Sequence, residues 1–174
     1  MIAEPSEPSE RPDQLDFSTP PPDANGAPDP PAPAEGRDGA PADIDRDAEG
    51  VDERESAYGL LQRGHELMRS RHHAQAATVL ARAAHLEPKK GSILEALGRA
   101  YYNSSQHGPA AETFRALLEV DPSAHYAHYA LGQSLKQLGR TREARTHLRL
   151  AVALSPGSVL YRGALNRLGS AAQE

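Results

Sequence analysis

Three glycines stand 34 residues apart, at Gly64, Gly98 and Gly132, and an alanine follows each by 12, at Ala76, Ala110 and Ala144. Three prolines close the series at Pro88, Pro122 and Pro156, in a stretch (57–174) that holds only four prolines. Apolar positions recur at the same period: Leu60/Leu94, Leu97/Leu131, Leu67/Tyr101/Leu135, Leu80/Phe114/Leu148 and Leu86/Val120/Leu154. A chain that repeats itself in this way folds as a row of like units, each too small to bury its own apolar face and each completed by its neighbour.

Within a unit the apolar spacing predicts two helices. The first runs over about 57–70, 91–104 and 125–138, the second over about 74–87, 108–121 and 142–155. Polar or glycine turns separate them, and the proline of each unit stops the second helix. Gly139 suits a left-handed position just past a helix end, and Pro109 suits a first helical turn. Ser123 and Ser158 are placed as N-caps, while Asp52-Glu53-Arg54-Glu55 resembles an acidic capping box that would start the first helix near 53. Glycine at the eighth position and alanine at the twentieth let the two helices approach closely where they cross. Leucine in place of Ala110 would overpack that crossing at a cost of about 1–3 kcal/mol.

Charge divides the chain in two. Residues 1–56 carry 4 Lys+Arg against 16 Asp+Glu and hold 11 of the 15 prolines, whereas residues 57–174 carry 15 against 8 and all eight histidines. Proline at this density denies backbone donors and pushes each preceding residue out of the α region. Alanine aside, the large apolar residues before Val51 are Met1, Ile2, Leu15, Phe17 and Ile44, too few to offset an ordering cost of about 1–2 kcal/mol per residue. A disordered acidic tail over 1–52 is expected, either a solubilising leader or a partner-binding segment centred on Leu15–Phe17 or Ile44–Glu55.

Several functional classes are disfavoured by composition. With no cysteine there is no disulfide frame, thiolate metal site or cysteine nucleophile. The N-terminus lacks the basic and apolar regions of a secretory signal, and no apolar run approaches the roughly 20 residues of a membrane span, so a cytoplasmic protein is expected. His72-His73 reads as a solvated turn. His125 and His128 could share a metal one helical turn apart, but no third ligand is placed beside them, so no metal or cofactor is expected. There is no nucleophile elbow, phosphate loop or paired-carboxylate frame, and an enzyme is not expected. The basic run Arg140–Arg145 with Arg149 raises RNA binding as an alternative, against which the acidic tail would compete.

The 34-residue period, with small residues at positions 8 and 20 and proline at 32, resembles the tetratricopeptide repeat. The resemblance divides the chain into the tail at 1–52, units at 53–90, 91–124 and 125–158, and a capping helix within 159–174. It implies an all-α, right-handed solenoid whose first helices line a concave groove, in a family of peptide- and protein-binding modules. Leu160, Leu165 and Leu168 would face the third unit, with Arg162 and Arg167 in water. Arg63, His128 and Leu117 depart from the usual pattern. The short, alanine- and arginine-rich chain is similar to small repeat proteins of high-GC actinobacteria.

Carrying the groove positions 2, 5, 9, 12 and 13 onto this chain gives Tyr58, Leu61, His65, Met68 and Arg69 from the first unit. The second supplies Ser92, Glu95, Arg99, Tyr102 and Asn103, and the third Tyr126, Tyr129, Gln133, Lys136 and Gln137. Four tyrosines and three cations against one carboxylate suit an extended acidic segment with some apolar side chains. Chaperone-binding members grip a terminal carboxylate with Lys, Asn and Arg, where this chain has Leu61, His65, Ala96, Tyr126 and Ala130; that clamp is absent. The reading is an adaptor for a protein or peptide, with an oligomeric scaffold built on the convex faces as an alternative. The chain's own Asp43–Glu49 could also rest over Arg69, Arg99 and Lys136 and mask the groove.

Overall fold

The computed structural model describes residues 56–170. Among them lie seven helices and no strand: α1 (Ala57–Arg69), α2 (His73–Leu86), α3 (Gly91–Asn103), α4 (His107–Val120), α5 (His125–Gln137), α6 (Thr141–Leu154) and α7 (Val159–Ser170). Each boundary set by the repeat falls within a residue of expectation. Packing is between neighbours: α1 with α2, α3 with α4 and α5 with α6 form pairs, and α2–α3, α4–α5 and α6–α7 join one pair to the next. The first helices also touch along one side, α1 to α3, α3 to α5 and α5 to α7. This is a right-handed α-solenoid of three helix pairs with a capping helix. The expected disordered tail, with its acidic capping box, lies outside the described residues.

The glycines permit the crossings. A Cβ added at Gly64 would stand 2.5 Å from Cγ of Leu80, at Gly98 2.7 Å from the Phe114 ring, and at Gly132 2.8 Å from Cγ of Leu148. The group each glycine admits is therefore the large residue at position 24, with Ala76, Ala110 and Ala144 fully buried beside it. Two core clusters result. One joins α1 and α2 to Ile93, Ala96, Leu97 and Ala100 of α3, and the other joins Leu94 and Tyr102 of α3 to the rest of the solenoid. Tyr101 packs against both. Of the departures from the family pattern, Arg63 is exposed and Leu117 is buried in the second cluster.

Local signals at the helix ends hold in part. Ser56, in extended backbone, caps α1 by accepting from the Gly59 N–H at 3.0 Å, so α1 starts at Ala57. Ser158 accepts from the Tyr161 N–H at 3.4 Å, as expected of a cap. Ser123 does not cap α5; Ala124 takes that place. The Asp121 carboxylate captures the serine first, accepting its N–H at 2.9 Å and its hydroxyl at 2.6 Å. Gly139 has φ of 73°, and Arg71 and Ser105, two repeats and one repeat earlier, hold φ of 60° and 62° at the same turn position. The last helix is rotated from expectation: Tyr161, Ala164 and Leu168 are buried, Leu165 is half-buried and Leu160 faces out, with Arg162 and Arg167 exposed as expected. Leu160 loses because Tyr161 stands at position 3 of an incomplete fourth unit, the register that also buries Ile93 and Ala127.

Candidate functional site

The first helices α1, α3 and α5 line the inner face, and the groove positions fall into two sets. Tyr58 is 63% exposed, Arg69 is exposed, and His65, Asn103 and Lys136 are half-buried. Ser92 and Gln137 are also exposed and Glu95 is half-buried, whereas the remaining residues expected to be open are enclosed: Tyr129 is 1% exposed, Gln133 3% and Arg99 7%, with Leu61, Met68, Tyr102 and Tyr126 also buried. The expectation of an open tyrosine row in the second and third units is therefore corrected.

The reasons are visible in the neighbours. Tyr126 meets Phe114 of α4 edge-on with ring centroids 6.4 Å apart. Tyr129 lies against Tyr161 of α7 at 4.9 Å, and Tyr102 against His107 of α4 at 5.1 Å. The Met68 sulfur stands 3.5 Å from Nδ1 of His73. Tyr58 has no preceding helix pair among the described residues, and it stays open for that reason. Alanine in place of Tyr102 and Tyr129 would thus probe the core before it probed a groove.

Arg99 Nη1 lies 3.7 Å from Oε1 of Glu95, one helical turn away. Burial pushes the Glu95 carboxyl above its ordinary range, against the pull of Arg99 and His125. Burial likewise raises the phenols of Tyr126 and Tyr129, so both are neutral hydrogen-bonding groups at physiological pH. Gln133 bonds to Tyr129. The inner face is thus a neutral aromatic and amide floor that includes the half-buried Glu95 beside the buried Arg99, bordered by Arg69, His65, Asn103 and Lys136.

The histidines take structural partners. His72 is exposed. His125 Nδ1 is 2.9 Å from the Tyr161 hydroxyl, so it faces α7 and not His128. His128 Nε2 donates to the Pro122 carbonyl at 3.2 Å, and its Nδ1 stands 3.1 Å from Nδ1 of His147. A carbonyl only accepts, so neutral His128 carries its proton on Nε2 and its Nδ1 accepts from His147. The two rings stack with centroids 5.4 Å apart. Burial lowers the pKa of both, and for His147 the charge of His128 adds to the shift. Among the described residues no group of three or more histidines and carboxylates stands together. No described helix is long and apolar enough to cross a membrane. On the outer side Arg140 grips Glu143 with two bonds of 2.7 Å.

Two contributors escaped the sequence reading. Tyr161 closes the inner face at the third unit, and its position in a fourth partial repeat was the signal. His147 pairs with His128 through a contact 19 residues away in the chain that periodicity alone does not mark.

Comparison with known proteins gives the same architecture. The mouse Superkiller complex protein 3 is 28% identical over 112 residues, which are 64% of this chain and 7% of that protein; this chain thus spans a small fraction of its relative. Residues 41 to the end of MamA from Desulfovibrio magneticus RS-1 superpose with a TM-score of 0.68 at 20% identity, covering 71% of this chain and 70% of that one. The first repeat domain of Spaghetti (RPAP3), bound to the HSP90 peptide SRMEEVD, superposes with a TM-score of 0.65 at 15% identity, covering 68% and 94%. A family model described as Tetratricopeptide repeat matches residues 61–108 and 95–159, more than half of the 174. With the 34-residue period, the buried glycine crossings and the three helix pairs in place, the chain belongs to the tetratricopeptide repeat family.

Proposed function

We propose that this chain is a binding module that takes an extended, acidic segment of a partner protein along its concave face, without catalysis. The observation that carries the reading is the border of that face, where Arg69, Lys136, His65 and Asn103 remain accessible around an aromatic floor. Cations at a rim steer an acidic ligand and fix its register, while rigid aromatic surface supplies contact at low entropic cost. Spaghetti (RPAP3) carries an acidic peptide on the same fold. Here Leu61, His65, Ala96, Tyr126 and Ala130 stand where a terminal-carboxylate clamp would need Lys, Asn and Arg. The ligand proposed is therefore an internal acidic stretch, met in the cytoplasm.

The test is calorimetric titration of the full chain with a panel of acidic and charge-matched basic peptides, repeated with Arg69→Glu/Lys136→Glu. The reading expects selective binding of acidic peptides and a loss of roughly tenfold in the variant at unchanged helicity. Binding of acidic and basic peptides alike, or an indifferent variant, would move the site elsewhere. A scaffold on the outer faces is the second reading, favoured by Leu86, Val120 and Leu154, which are exposed at one position of successive units. A concentration-independent monomer mass would remove it.

A further inference from the structure

We infer that the far end of the row, where α6 and α7 lie side by side, is a docking site for a second copy of this chain, which lays its own acidic segment Asp43–Glu55 there. The contact lies outside the concave face and does not depend on what that face binds.

The repeat register exposes the site. α7 is the first helix of a unit whose second helix does not follow among the described residues. In α1, α3 and α5, positions 4 and 8 meet the second helix of the same unit. Leu60, Leu94 and His128 are enclosed at position 4, and a Cβ at each position-8 glycine would press on Leu80, Phe114 or Leu148. Position 1 points the same way, since a Cβ on Gly91 would stand 3.4 Å from Leu117 of α4. In α7 these positions are Val159, 75% exposed, and the exposed Arg162 and Asn166. The flank of α6 is open as well. At position 21 the earlier second helices have the buried Ala77 and Ala111, where α6 has the half-buried Arg145, and Arg149 one turn on is exposed.

The charge of this end is one-sided. α7 carries no carboxylate, and the one carboxylate of α6, Glu143, is already held by Arg140. Apolar side chains, Val152, Val159 and Leu165, thus stand among the guanidiniums of Arg145, Arg149 and Arg162. Such a face calls for an occupant with an apolar stripe flanked by carboxylates.

The segment Asp43–Glu55 has that chemistry, with 7 Asp+Glu against 2 Arg. Wound as a helix it would align Ile44, Ala48 and Val51 at i, i+4 and i+7, with Asp47 on one flank and Asp45 and Asp52 on the other. Docking would supply the helix, because an isolated one of this length is marginal in water.

The stripe does not reach this site on its own chain. Val51 is five residues ahead of Ser56 and so within about 18 Å of it. From α1 to α7 there are three steps between first helices, and at about 8–10 Å per step the gap is roughly 24–30 Å. The contact is therefore between copies. Each offers one segment at its front and one flank at its back, a heterologous pairing by which a row of copies can grow. The expectation that Asp43–Glu49 rests over Arg69, Arg99 and Lys136 gives way, because Arg99 is enclosed.

Sedimentation velocity of the full chain over about a hundredfold range of concentration should show the mass rising from the monomer, and less so at high salt. Arg145→Glu/Arg149→Glu and, separately, Ile44→Ser/Val51→Ser should each raise the dissociation constant at least about tenfold with circular dichroism unchanged. Mixing the two variants is decisive. The first keeps its segment and the second its flank, so together they should form a one-to-one complex with near wild-type affinity and grow no further. A wild-type mass that stays monomeric overturns the inference, as does association that either variant retains, or a mixture that stays apart. Leu86→Ser/Val120→Ser should leave association unchanged, and loss of association there would assign the contact to the outer faces instead.

Discussion

The helices α1 and α5 fill the same place in the first and third units, yet α1 buries five of its 13 residues and α5 buries ten. Repeat position alone therefore does not decide whether a side chain meets water. Position 2 is an exposed tyrosine in α1 and an enclosed one in α5, because Tyr126 has Phe114 of the preceding pair beside it and Tyr58 has no such neighbour. Position 5 is enclosed in both units, but by different neighbours: Leu61 joins the first core, and Tyr129 is covered by Tyr161 of the capping helix. The binding surface of a short solenoid is consequently uneven along its length.

The largest effect should come from the tyrosines themselves. Tyr129→Ala is expected to cost about 3–5 kcal/mol, the range for removing a fully buried aromatic ring, whereas Tyr58→Ala should stay within about 0.5 kcal/mol. Urea denaturation of the two variants decides this, and equal costs would break the contrast between the units. Next come the crossings. Gly132→Ala would press on Leu148 and on the Ala144 carbonyl, 3.2 Å from the added carbon, while Gly64→Ala would press only on the Leu80 side chain. Both should destabilise, by about 1–3 kcal/mol, with Gly132→Ala the worse because backbone yields less than a side chain. Thermal melts that ranked them the other way would show that the first unit is the stiffer one.

A smaller effect is expected at the left-handed turns. Gly139→Ala should cost about 1 kcal/mol, and Arg71→Gly or Ser105→Gly should gain a comparable amount, since only glycine holds positive φ without strain. Denaturant midpoints would show the signs. The smallest effect is a pH slope. His128 and His147 have folded pKa values below the ordinary 6.5, so the unfolded chain takes up protons first as pH falls. Their contribution is full above about pH 6.5 and declines as pH drops through the folded values. His107, lowered by burial, acts in the same direction. His128→Gln/His147→Gln should reduce the fall in melting temperature between pH 7.5 and 5 without abolishing it. An unchanged slope would assign the titration to other groups.

The period made most of the fold legible, because glycine at position 8 and alanine at 20 answer the close crossing of the two helices and proline at 32 stops the second one, demands that recur within every unit. Helix ends followed to within a residue. The inner face was less legible, and for a physical reason. Which side of a helix faces the groove is a local property, but whether that side is covered depends on the neighbouring pair and on residues far along the chain. Tyr161 and His147 act through such contacts. Ser123 failed as a cap because Asp121, two residues before it, competes for the same hydroxyl. Ser158 has no acid there and caps as its chemistry suggests.

The division of α3 between two cores has a consequence for how the molecule comes apart. Ile93, Ala96, Leu97 and Ala100 look toward α1 and α2, and Leu94 and Tyr102 toward everything that follows. The first pair can therefore peel off at the expense of one side of one helix, while the remaining core keeps its 18 buried apolar residues. Amides of α1 and α2 would exchange with solvent through such partial openings, and those of α4–α6 through global unfolding. A pull on the residues ahead of Ser56 would be absorbed by the pair that lets go most easily, leaving the rest of the row intact.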